Sequence, residues 1–196
     1  GYDLERILEQ VYLGADGIYG MPLGVSATFV IIIVVLGALL EKTGASGVLM
    51  DVAVSMTRKS RGGPAKAAVV GSSLMGMISG TAVANVLTTG TISIPLMKRA
   101  GYKPSVAGAV EAVASTGGQL MPPIMGAAAF LMADIMEVPY LEITKSALLP
   151  AILFYIAVFW AVHLEALKAG LRPLGNFEVP DVIDSLRNNG HVLLAI

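Results

Sequence analysis

"AAVVGSSLMGMISGTAVANVLTTGTISIPLM", residues 67–97, runs for thirty-one residues without a charge. Lys66 stands before it, and Lys98, Arg99 and Lys103 follow. As one straight helix it would be roughly 46 Å long, well beyond a hydrocarbon core about 30 Å thick. Its centre is crowded with hydrogen-bonding groups: Ser79, Thr81, Asn85, Thr88 and Thr89 cluster around Gly80 and Gly90. Split at Ser79-Gly80-Thr81, it becomes two arms, each about half a membrane deep, with both basic flanks on one side. The positive-inside tendency favours that layout, because a straight span strands one basic cluster outside. The stretch reads as a re-entrant helical hairpin bounded at 64–103.

The remaining composition agrees with a membrane setting. The 196 residues are 55% hydrophobic and 14% charged, against about 45–50% and about 25% in an ordinary soluble domain. "PLGVSATFVIIIVVLGALL" (22–40) carries no charge, and "ALLPAILFYIAVFWAVHL" (147–164) carries one histidine. Each approaches the roughly 20 apolar residues that a spanning helix needs. The fold class is all-α and integral to a membrane. A net charge of −1 implies no nucleic-acid partner, and the absence of cysteine excludes disulfides and thiol-ligated metals. The chain starts at Gly1 and ends in the apolar "HVLLAI", so it is expected to be a piece of a longer protein.

Outward from the hairpin, the organisation follows charge and periodicity. Leu4, Ile7, Leu8 and Val11 share one face of a helix over residues 2–12. A first span is expected at 22–41, then a short amphipathic helix from Val48 to Met56 and a basic loop of Arg58, Lys59, Arg61 and Lys66. After the hairpin, residues 104–134 form a further apolar stretch broken at Gly117, Gly118, Pro122 and Pro123. Its flanks are basic before and acidic after (Asp134, Glu137, Glu142), which suits one full crossing with a discontinuity in its middle. A last span covers 147–172, and 173–196 is a connector leading to the start of another helix. With loops 58–66, 98–103 and 165–187 in the cytoplasm, only Arg6 and Lys145 of thirteen basic residues face outward.

Breaking a helix inside a bilayer strips backbone groups of their partners, so such breaks survive only when buried in protein or lining a cavity. Freed carbonyls with nearby hydroxyls and amides suit a small alkali cation, and helix N-termini facing the gap favour a carboxylate. The two polar interruptions, at 79–81 and 115–118, are therefore expected to meet and hold an ion and a substrate together. Ser72, further down the hairpin arm, is expected to lie outside that group. The competing reading is structural: Ser and Thr bond back to the preceding turn in membrane helices, and Gly76-x-x-x-Gly80 permits close packing. Glu111 is the one carboxylate well inside a span. It is either a functional acid or is tied down by Lys103 or Arg99. His163 is placed at the membrane interface, and Tyr155, Phe159 and Trp160 are read as lipid or helix contacts. No H-E-x-x-H, G-x-S-x-G or G-x-x-x-x-G-K pattern is present, and nothing argues for an enzyme or a cofactor.

Three long segments resemble the large membrane subunit of TRAP (tripartite ATP-independent periplasmic) transporters. They are "GMPLGVSATFVIIIVVLGALLEKTGAS", "SGTAVANVLTTGTISIPLMKRAGYKP" and "VEAVASTGGQLMPPIMGAAAFLMAD", and the phrasing is most similar to fused permeases that work with TAXI-type solute-binding proteins. The resemblance implies a bacterial inner-membrane, multi-pass permease that takes up an organic acid, driven by sodium, from a periplasmic binding protein. It implies an inverted-repeat transport unit that moves as an elevator, of which this chain holds the first half. The rest of that permease, a second repeat and a fused small membrane subunit, would be its partners beside lipid. Residues 1–63 would then be scaffold and 64–146 the transport unit. Carried onto these residues, Ser79, Gly80, Thr81 and Asn85, with Ser115, Thr116, Gly117 and Gly118, look like one sodium site. Thr88, Thr89, Gln119, Pro122 and Pro123 would lie beside the substrate. A channel with a polar-lined pore and a non-transporting scaffold for a periplasmic partner are the alternatives.

Overall fold

The computed structural model describes residues 3–14 and 17–171. In chain order, α1 (Leu4–Leu8) runs into a π-helical turn (Glu9–Leu13), and α2 (Met21–Val25) passes through a second π turn (Ser26–Val30) into α3 (Ile31–Lys42). Then follow α4 (Ala45–Thr57), α5 (Gly63–Ser79), α6 (Ala82–Arg99), α7 (Pro104–Gly117), α8 (Ala127–Ile135) and α9 (Tyr140–Lys168). No strand occurs among the described residues. The described residues are all-helical in their regular structure, as the apolar runs predict. The connector expected at 173–196 lies outside the described residues.

Residues 21–42 stay helical throughout, because Val25 and Ile31 on either side of the π turn keep right-handed helical dihedrals. Within that turn, the Thr28 hydroxyl donates back to the Gly24 carbonyl at 2.8 Å, the local competition that loosens helices at Ser and Thr. The amphipathic face of α1 is uncovered, with Leu4, Ile7 and Leu8 all exposed.

α5 is the central helix. It packs against α3, α4, α6, α7 and α9, and most of its residues are buried. Small side chains make this possible: Ala65, Ala67, Ala68, Gly71, Ser72 and Gly76 let neighbouring backbones approach closely, the packing style of membrane helices. Lys66 differs from its expected place in a basic loop. It sits in the first turns of α5, is only 4% exposed, and holds its ammonium 5.1 Å from the Phe159 ring centre, where the ring face attracts it.

α5 and α6 form an antiparallel hairpin. Ser72 and Thr89 lie almost equally far from the turn at Gly80, and their hydroxyls are 3.2 Å apart. The open ends of the hairpin meet the end of α9. A Cβ placed on Gly62 would lie 2.5 Å from both the Tyr102 hydroxyl and the Ala166 Cβ. Ala65, Met97, Tyr102, Ala107, Val162 and Ala166 belong to one buried cluster at this base. Burial, with the negative charge of Glu165 second, pushes the Tyr102 hydroxyl up to about 12.

α9 begins at Tyr140, seven residues before the expected 147. Pro139 at its N-cap is extended (φ −58°, ψ 137°) and Glu142 sits in the first turn, both favourable at a helix start. Ile143 is also buried against Met125 and Ala129, so burial carries the helix back beyond the uncharged run. Among the described residues α9 is the one α-helix that is long and apolar enough by itself to cross a membrane. Its outer stripe of Leu149, Leu153, Ile156, Trp160 and Leu164 is exposed, a surface for lipid or for further helices. Tyr155 instead turns inward, donating its hydroxyl to the Ala114 carbonyl at 3.0 Å.

Candidate functional site

The hairpin tip is built from local signals. Gly80 ends α5 in the left-handed region (φ +59°), and its N–H reaches the Gly76 carbonyl at 3.2 Å. This is the glycine stop expected at a helix C-terminus. Thr81 is extended and caps α6, its hydroxyl oxygen accepting the Ala84 N–H at 3.3 Å. Beside the tip lies a cavity of about 40 Å³, lined by Val34, Ser79, Gly80, Thr81, Met125 and Phe130 among others. One water molecule occupies about 30 Å³, so the cavity admits one small species.

Across from the tip, α7 stops at Gly117 and α8 resumes at Ala127. The intervening chain is a run of tight turns. Gly118, Gln119, Leu120 and Met121 donate their N–H groups to the carbonyls of Ser115, Thr116, Gly117 and Gly118, at 2.9 to 3.2 Å. These carbonyls are therefore not stripped bare, as the interrupted pattern suggests. Each keeps one lone pair beyond its turn hydrogen bond. The Pro122-Pro123 peptide is cis, and the Tyr140 hydroxyl, with one hydrogen to donate, lies within reach of the carbonyls of Pro123, at 3.1 Å, and Ile124.

Tip and break are in contact. A Cβ on Gly76 would fall 2.3 Å from the Gly118 Cα, and one on Gly80 would fall 2.3 Å from the Met125 carbonyl oxygen. A Cβ on Gly118 would lie 2.9 Å from the Asn85 amide nitrogen. Glycine is required at each place because backbone meets backbone.

Just beneath the tip is a polar centre. Glu111 and Asn85 are both fully buried. The Glu111 carboxylate is approached by the hydroxyls of Ser72 (3.3 Å), Ser115 (3.1 Å), Thr89 and Ser93. Asn85 donates its amide to the Ser72 carbonyl at 2.8 Å, tying the two hairpin arms together. The Thr89 hydroxyl lies 2.8 Å from the Asn85 carbonyl and 3.3 Å from its side-chain oxygen.

The residues singled out from sequence thus fall into groups. Ser79, Gly80 and Thr81 form the tip beside Met125. Thr89 and Ser115 meet Glu111, Asn85 lies against Thr89 and the Ser72 carbonyl, and Gly117 and Gly118 seat the break. Thr116 is exposed and donates back to the Ala112 carbonyl at 2.7 Å; Thr88 donates to the Ala84 carbonyl at 2.6 Å. Gln119 and Pro123 are exposed and Pro122 is half-buried. The partners of Glu111 are hydroxyls, not Lys103 or Arg99, both of which are exposed. Ser72, expected outside the group, is inside it, and Ser93 joins it unannounced. The pairing of Ser72 with Thr89 was open to counting outward from Gly80, and Ser115 stands one helical turn after Glu111.

A packed helical hairpin, α5 and α6, thus faces the interruption between α7 and α8. The chain belongs to the Tripartite ATP-independent periplasmic transporter family, DctM component, whose model matches residues 1–196. It is 29% identical over 130 residues to the C4-dicarboxylate TRAP transporter large permease protein DctM of Pseudomonas aeruginosa, covering 66% of this chain and 30% of that protein. It is 32% identical over 120 residues to the uncharacterized protein y4mL of Sinorhizobium fredii, covering 60% and 28%. It is 29% identical over 90 residues to YgiK of Salmonella typhimurium, covering 46% and 21%. The chain spans less than a third of the length of these curated relatives. The family is one of inner-membrane transport permeases, not of enzymes.

Proposed function

We propose that this chain is the first-repeat part of a permease that imports an organic acid anion, delivered by a periplasmic binding protein of the TAXI type, together with sodium. The observation that carries the reading is the seating of the hairpin tip on the break of the discontinuous helix, Gly76 on Gly118 and Gly80 on Met125. The donors gathered there are hydroxyl, amide and carbonyl oxygens, which fit a hard monovalent ion and offer a transition metal nothing softer. Ser79, Thr81 and Asn85, with the second lone pairs of the 115–118 carbonyls, would hold sodium, and the tip cavity is of the right size for one ion. The second repeat would close the substrate pocket, and the unit would move as an elevator against a scaffold that includes residues 1–63.

The test is uptake by the full-length permease in proteoliposomes, titrated with sodium at saturating substrate and binding protein. Ser79→Ala and Asn85→Ala should raise the half-saturating sodium concentration roughly ten- to a hundredfold, the loss of a charge-assisted contact of about 1.5–3 kcal/mol. Ser73→Ala should titrate as the parent, because the Ser73 hydroxyl donates to the Val70 carbonyl of its own helix at 2.7 Å. Uptake indifferent to sodium in all four proteins removes the sodium assignment.

The re-entrant placement has its own test. Cysteines introduced at Ser60 and Ser105, on either side of the hairpin, should be labelled from the same face in intact cells and inverted vesicles. Labelling from opposite faces would show that residues 67–97 cross the membrane.

A further inference from the structure

We propose that Glu111 and the oxygens around it form a sodium centre of their own, distinct from the hairpin tip; the proposal rests on the sodium-coupled reading above.

The oxygens around Glu111 are short of hydrogens. A serine or threonine hydroxyl has one hydrogen to donate. The Thr89 hydroxyl faces the Asn85 carbonyl, the Asn85 side-chain oxygen and Glu111 Oε1, and its hydrogen serves one of them. The Ser72 hydroxyl lies 3.2 Å from Thr89 Oγ1 and 3.3 Å from Glu111 Oε1, and its hydrogen also serves one. Ser93 and Ser115 donate to Glu111. Several oxygens therefore face each other with no hydrogen between them, around a carboxylate that is fully buried. Lone pairs crowded in this way repel unless a metal cation sits among them or the carboxyl itself carries a proton, the two cases that sodium binding tells apart. Burying an unpaired carboxylate adds a penalty of several kcal/mol.

Among the described residues no basic side chain reaches Glu111, and Lys145 of α9 is exposed. Of the helices packed on α7, α5 carries Lys66, which lies over Phe159. α6 carries Lys98 and Arg99, both exposed at its end. α9 carries Tyr155, which donates to Ala114, and beyond it His163, Glu165 and Lys168. Lys103, which precedes α7, is exposed. Among the described residues, the side-chain hydrogen bonds that reach Glu111 come from hydroxyls.

The donor chemistry selects the ion. One carboxylate and four hydroxyls are all hard ligands, and a single negative charge balances a monovalent cation. Among the described residues no group of three His, Cys, Asp or Glu could hold a metal, so the multi-carboxylate cage of a divalent ion is absent there. Ligands come from α5 (Ser72), α6 (Thr89, Ser93) and α7 (Glu111, Ser115). An ion here clamps both hairpin arms to the first half of the broken helix, so its arrival and departure would be linked to any separation of the two.

The experiment is equilibrium binding of radioactive sodium to the full-length permease in nanodiscs, at one pH and with potassium as background salt, alongside sodium-dependent thermal stability. Glu111→Gln should bind one sodium fewer than the parent while keeping the others, and should lose part of the sodium-induced rise in Tm. Ser93→Ala, which removes one oxygen and keeps the charge, should keep the count but weaken one site roughly tenfold. It decides the matter if Glu111→Gln fails to fold. Ser73→Ala should match the parent. Parental counts and affinities in both Glu111→Gln and Ser93→Ala overturn the proposal, as does a centre that exchanges protons but no sodium. A parent protein that binds no sodium at all overturns the sodium-coupled reading as well, which separates the two failures.

Discussion

Gly76→Ala is expected to unseat the hairpin from the break and to abolish uptake by the full-length permease. The new methyl would stand 2.3 Å from the Gly118 Cα, 3.2 Å from its carbonyl carbon and 3.3 Å from its oxygen. All three are backbone atoms, so no side-chain rotation relieves the overlap. Gly118 has no retreat: a Cβ there would already meet Gly76 and Asn85 within 3 Å. The helices must move apart, and overpacking of this kind costs about 1–3 kcal/mol, with the rigid partner placing it toward the upper end. The same displacement pulls Ser72 away from Glu111, so function should suffer more than stability. Thermal unfolding and uptake of the purified protein check both. Gly108→Ala is the matched control, since nothing lies within 4 Å of its added Cβ and alanine favours α7 by up to about 1 kcal/mol. Parental Tm and uptake in Gly76→Ala would show that hairpin and break do not touch at this point.

What was legible in the sequence was local in origin. The tip could be read because a left-handed glycine stop and a threonine cap act within a few residues of each other at Ser79-Gly80-Thr81. The interruption of α7 could be read because Gly117-Gly118 and Pro122-Pro123 disfavour helix continuation by themselves. The neighbours of Glu111 depend on something else, the rotation of α5 and α6 about their own axes. That rotation is decided by small-residue packing along Ala65, Ala68, Gly71, Ser72 and Gly76, and a hydropathy pattern with few charges leaves it open. Hence Ser72 looked remote from the site, and Lys103 and Arg99 looked like partners for Glu111 because they are near in sequence. Lys66 misled for a related reason. Charge marks a loop only where the chain is solvated, and an ammonium resting on Phe159 is satisfied inside the fold. The start of α9 was misplaced because Lys145 and Glu142 interrupt the apolar run without interrupting the helix.

The second large effect is expected at Gly80, where two causes can be separated by choice of residue. Gly80 holds a φ of +59° and also faces the Met125 carbonyl, which a Cβ would approach to 2.3 Å. Alanine meets both penalties: about 1–2 kcal/mol for the left-handed backbone and about 1–3 kcal/mol for the overlap. Asparagine tolerates left-handed geometry far better, so Gly80→Asn relieves the first and keeps the second. If the tip rests on the break as described, both variants should be destabilised and both should fail in uptake, with asparagine the milder by about 1 kcal/mol. The measurement is the Tm of the purified full-length permease with parallel uptake assays in proteoliposomes. Parental behaviour in Gly80→Asn, with loss confined to Gly80→Ala, would mean that backbone conformation alone matters. The tip would then be free to lift from Met125, and the small cavity beside Ser79 and Thr81 would no longer be walled on that side. Failure of both variants ties the turn and the break together, because a single added carbon at the tip is then felt by a carbonyl forty-five residues further along the chain.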